Sequence, residues 1–94
     1  MPELNLNRAI ARNIVTKAIA VDTEFSQPQI NEALRIADLD LDALATERIY
    51  KQIVRDIESV GFHTKVSMSV LSDAVTVGDV IDVVVALTTS GGPE

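Results

Sequence analysis

The stretch Leu34-Arg35-Ile36-Ala37-Asp38-Leu39-Asp40-Leu41-Asp42-Ala43-Leu44 decides how this chain is read. Leu34, Ile36, Leu39 and Leu41 are too apolar for a purely solvated linker, so several of them should pin a loop to a core. Asp38, Asp40 and Asp42 alternate with these anchors, and Asp42 stands where a helix wants a capping side chain. Immediately downstream, Tyr50, Ile53, Val54 and Ile57 recur at i, i+3, i+4 and i+7, the pattern of one buried helical stripe, which Leu44 and Val60 would extend. The spacing predicts a helix over residues 43–60, ended by Gly61, which accepts the left-handed conformation found past helix termini. Residues 29–42 then form a structured loop, with one helical turn near residues 30–34.

Working outward, Ala9, Ile10, Ile14 and Ala18, with Val15 and Ile19 beside them, recur at helical spacing and predict a first helix over residues 6–20. Asp22, Ser26 and Pro28 break that pattern. Val66, Met68 and Val70 alternate with Lys65, Ser67 and Ser69 at a strand-like period. A lone strand there would have no partner, so a short helix near residues 69–73 is the preferred reading. Thr76 with Asp79 three residues on forms an acidic variant of the capping box. Val77, Val80, Ile81, Val84 and Val85 continue at helical spacing, against the weaker helix propensity of β-branched side chains. The expected architecture is a single all-α domain over residues 1–94: three main helices plus one short helix. Its ordered core should cover about residues 5–88, with a frayed tail over residues 89–94.

Ninety-four residues suit one small domain with a modest core. Apolar residues are 47% of the chain and only three are aromatic, so the core should be aliphatic. A net charge of −6 argues against nucleic acid and anionic membranes as main partners. With no cysteine, disulfides, thiolate catalysis and Cys-ligated zinc are excluded. The longest apolar run, residues 83–87, is far short of a membrane span, and Met1-Pro2-Glu3 lacks the basic start of a signal peptide. A cytoplasmic monomer is the expectation.

The layout resembles an acyl carrier protein. An acidic loop runs into Asp42-Ala43-Leu44 at a helix start, where that family has Asp-Ser-Leu. Thr76-Val77-Gly78-Asp79-Val80-Ile81-Asp82 looks like the family's opening of its last helix, and the resemblance covers roughly residues 6–87. It implies a carrier whose corner serine bears a 4'-phosphopantetheine arm, installed by a phosphopantetheinyl transferase. That arm would present a thioester-linked acyl group to fatty-acid, polyketide or other specialised biosynthetic enzymes. Ala43 has no oxygen, so this chain should not take the arm at that position. Two explanations stand: a serine replaced by alanine, or a natural pseudo-carrier serving as a protein-interaction module. Asp42 and Leu44 both keep the family pattern, which favours the first.

The resemblance also implies a docking face on the second long helix. Glu47, Arg48, Lys51 and Arg55 should lie on it, and this mixed charge departs from the family's usual acidic surface. Ile53, Val54, Ile57, Val66, Met68 and Leu71, together with Leu44, are candidates for lining a cargo pocket. Other chemistry finds little support. A calcium loop starting at Asp38 would need Gly and Glu where Ala43 and Ile49 stand. His63 has no Cys or second His with which to bind metal, and Ser59, Ser67, Ser69 and Ser72 lack a nucleophile signature. No catalytic set and no metal site is expected, and the chain reads as a non-enzyme.

Overall fold

A computed structural model describes residues 7–90. Four helices form a small all-α bundle: α1 (Arg8–Asp22), α2 (Ala43–Ser59), α3 (Met68–Asp73) and α4 (Val77–Leu87). Asn7 starts α1 by accepting a hydrogen bond from the Ile10 amide at 2.8 Å, so the helix begins two residues later than the periodicity suggested. It also runs two residues further, to Asp22. α1 packs against both α2 and α4, while α3 closes the gap between α2 and α4.

The core is aliphatic. Ala11, Ile14, Val15, Ala18 and Ile19 of α1 meet Ile49, Ile53 and Ile57 of α2 and Val77, Val80, Ile81 and Val84 of α4. Ala9 and Ile10 stay exposed, at the rim of the α1 stripe. On α2 the buried line is Ala45, Ile49, Ile53 and Ile57. Tyr50 and Val54 are only half-buried beside it, and Leu44 and Val60 are exposed. A line at intervals of four drifts slowly around the helix and fits a neighbour crossing at an angle, which moves the stripe off the expected positions. Val85, at the edge of the α4 stripe, is half-buried.

The segment after α2 differs from expectation. Gly61, at φ 92°, turns the chain past the α2 C-cap Val60, as foreseen. Phe62–Thr64 then forms β1, and it does have a partner: β2 (Thr88–Ser90), antiparallel, with His63 opposite Thr89. The Lys65 amide extends the ladder to the Leu87 carbonyl at 2.9 Å. Buried Thr88 donates its hydroxyl hydrogen to Thr64 Oγ1 across the pair at 2.9 Å. Residues 89 and 90, expected to fray, are therefore paired, and residues 91–94 of the expected tail lie outside the described residues. α3 appears nearly where expected, beginning one residue earlier at Met68.

Candidate functional site

The site is the corner where the long loop enters α2. A single hydrogen-bonded turn stands near residues 30–34 as expected, where the Leu34 amide donates to the Asn31 carbonyl at 3.2 Å, and 3-10 turns flank it at Gln27–Gln29 and Ile36–Leu39. Ile30 and Leu39 are the buried anchors, while Leu34, Ile36 and Leu41 are half-buried against the core. The middle of the loop is held by backbone. The Val77 and Gly78 amides, orphan donors at the start of α4, donate to the carbonyls of Leu34 (2.9 Å) and Glu32 (2.8 Å). The Ile36 amide returns a bond to the Val75 carbonyl at 2.9 Å. Thr76 and Asp79 make the foreseen reciprocal capping box. The loop is thus a fixed strap, with Arg8 adding ion pairs to Glu32 and Asp82. Hydrogen bonds to Glu32 and then Asp82 raise the Arg8 pKa above the usual guanidinium value.

The strap ends at Asp40, which takes the left-handed conformation (φ 54°, ψ 46°). Aspartate tolerates that region better than bulkier residues do. The reversal places Asp42 as the α2 N-cap, where Oδ1 accepts from the Ala45 amide at 2.7 Å. Thr46 Oγ1 donates to the Asp42 carbonyl at 2.9 Å. Ala43 is the first helical residue; it and Leu44 are exposed, and Leu44 is 64% accessible. Two clefts flank the corner. One, of about 440 Å³, lies between the α1 end and the loop and is bordered by Asp22, Phe25, Asp40, Asp42 and Arg48. The other, of about 400 Å³, lies between the loop and α3 and is bordered by Ile36, Leu41, Thr46, Leu71 and Ser72.

The residues at this corner do not fit a covalent phosphopantetheine arm. Ala43 offers only a methyl group, and the nearest hydroxyl in the same turn, Thr46, is half-buried with its hydrogen committed to Asp42. Ser67 and Ser69 are exposed near α3 and bonded to each other at 2.7 Å.

The cargo-lining candidates divide. Ile53, Ile57, Val66 and Leu71 are buried in one core cluster, and Leu71 also borders the second cleft. Val54 is half-buried. Leu44 and Met68 do not line the interior: Leu44 sits on the outer side of α2, and Met68, at the start of α3, is 37% accessible.

The docking candidates come together on one exposed side of α2. Lys51 pairs with Glu47 at 3.2 Å. Arg48 Nε donates to Asp22 Oδ1 at 2.6 Å, tying α2 to the last residue of α1. That bond raises the Arg48 pKa above the ordinary guanidinium value. On the alkaline side the pair therefore persists until pH climbs through that raised value, far above neutrality. Asp22 was not foreseen as part of the site. It lies 26 residues from Arg48, and no local pattern links them.

His63 is exposed on β1. Among the described residues, no group of three or more His, Asp or Glu is placed to hold a metal ion, and no helix is long and apolar enough to cross a membrane. Compared with protein-family models, with curated proteins and with solved structures, the chain matches none of them.

Proposed function

We propose that this chain is an acyl-carrier-type protein, a non-catalytic docking scaffold whose tether position is 43. One observation carries the reading: an acidic, strapped loop delivers a capped helix start at which residue 43 stands exposed between two clefts. A tether point needs that combination. The side chain must reach a modifying enzyme, while the backbone beneath it stays fixed by its cap and strap. The acidic residues before it suit the positive end of the α2 dipole. With alanine at 43 the chain acts by docking alone. With serine there, its partners would be a phosphopantetheinyl transferase and acyl-handling enzymes.

A second reading has its own support. Alanine is among the best helix formers and is at ease in the first turn, so the position is structurally complete without a hydroxyl. On that reading the chain is a natural pseudo-carrier, docking to carrier-using enzymes without a load.

The test is mass spectrometry after incubation with coenzyme A and a promiscuous transferase. The chain as it stands should gain nothing, and Ala43→Ser should gain one arm. A folded Ala43→Ser protein left unmodified by several transferases would remove the carrier reading.

A further inference from the structure

The outward side of α2 carries a second pattern, one of charge. At 100° per residue, Leu44, Arg48, Lys51, Arg55 and Glu58 fall within about 40° of one line, opposite buried Ile53. All five are exposed. Three of the eight basic residues of a chain with net charge −6 are therefore aligned on one helix, behind an apolar side chain that is 64% accessible. Internal pairing leaves these cations available. Arg48 spends its Nε on Asp22, and its side chain remains 59% exposed. Lys51, 66% exposed, meets Glu47 only as an i,i+4 surface pair, worth little in water. Among the described residues Arg55 has no carboxylate within 4.0 Å. The acidic residues Asp38, Asp40 and Asp42 all lie before the helix, so the polarity changes sign between loop and stripe.

We propose that the stripe Leu44–Arg48–Lys51–Arg55 docks a partner segment that presents carboxylates around one apolar socket. The occupant is an acidic, amphipathic protein segment. Leu44 supplies the apolar anchor, and the arginine forks and the lysine fix register and speed encounter. Nucleic acid, also anionic, is disfavoured by the overall charge and by the acidic loop at the head of the stripe. The proposal rests on the docking role argued above and adds the chemistry of the partner.

The probe is a synthetic helical peptide with Glu at i, i+4, i+7 and i+11 and a central Leu, set against the same peptide with Lys for Glu. Each is titrated into the isotopically labelled full chain and followed by amide chemical shifts. The acidic peptide should move the amides of residues 44–58, and its binding should weaken with added salt. Lys51→Glu with Arg55→Glu should weaken it about tenfold and leave the fold intact, as judged by unchanged shifts elsewhere. Leu44→Ser should weaken it while preserving the salt dependence. Shifts confined to other residues, no binding of the acidic peptide, or a basic peptide binding α2 equally well would overturn the proposal. The tethering test reads mass at position 43 in Ala43→Ser, so either idea can fail while the other stands.

Discussion

The starts of α2 and α4 use the same device for opposite ends. Each has a side-chain cap: Asp42 accepts from the Ala45 amide, and Thr76 accepts from the Asp79 amide at 3.2 Å. At α4 the next residues are swallowed. Val77 is fully buried, and a Cβ on Gly78 would stand 3.0 Å from the Glu32 carbonyl oxygen. At α2 the next residues face solvent. The local rule for starting a helix is therefore indifferent to purpose. What separates a buried joint from an exposed helix start is whether another segment lies over the first turn.

Substituting the same residue at both starts should break or sharpen that contrast most strongly. Gly78→Val should cost about 3 kcal/mol, because backbone atoms of the strap cannot yield as a flexible side chain can. Ala43→Val should cost under about 1 kcal/mol, the ordinary helix-propensity penalty. Urea unfolding of the two variants measures the difference, and equal losses would abolish the contrast.

Removing the caps gives a smaller effect. Thr76→Ala should cost about 1–2 kcal/mol and lower hydrogen-exchange protection throughout the bundle. Asp42→Ala should cost about 1 kcal/mol and expose chiefly the amides of the first α2 turn. Smallest of all, Ala43→Ser should change the urea midpoint by no more than about 0.5 kcal/mol in free energy. A larger loss would mean that the methyl of Ala43 is doing structural duty.

Much of this was legible because it is local. The Thr76–Asp79 box spans four residues, and α2 was placed to within one residue by Asp42 at one end and Gly61 at the other. The anchoring of the loop by Leu39 followed from its apolar content. What stayed hidden is long-range. β1 pairs with a Thr-Ser segment 24 or more residues away, which by composition reads as a polar tail. The additional 3-10 turn at Ile36–Leu39 goes with the backbone ties of Ile36 to Val75 and of Leu34 to Val77, which local propensity does not reveal. The expected α2 stripe leans toward Tyr50 and Val54 because hydrophobic spacing carries no information on the angle of the neighbouring helix, which buries Ala45 and Ile49 instead. At the site, the exposure of position 43 could be inferred from its place at a helix start, whereas the Arg48–Asp22 tie could not.

The paired strands β1 and β2 have a bearing on how this protein can vary. They bind the far ends of α2 and α4 together, and the 17 residues of α2 set that joint about 25 Å from Ala43. Substitution energies at such separations generally add without interacting. Residue 43 is thus insulated from the part of the molecule that holds α2 to α4. Alanine, serine or a bulkier exposed side chain can occupy it at nearly the same folding cost, so stability exerts almost no selection on which residue stands there.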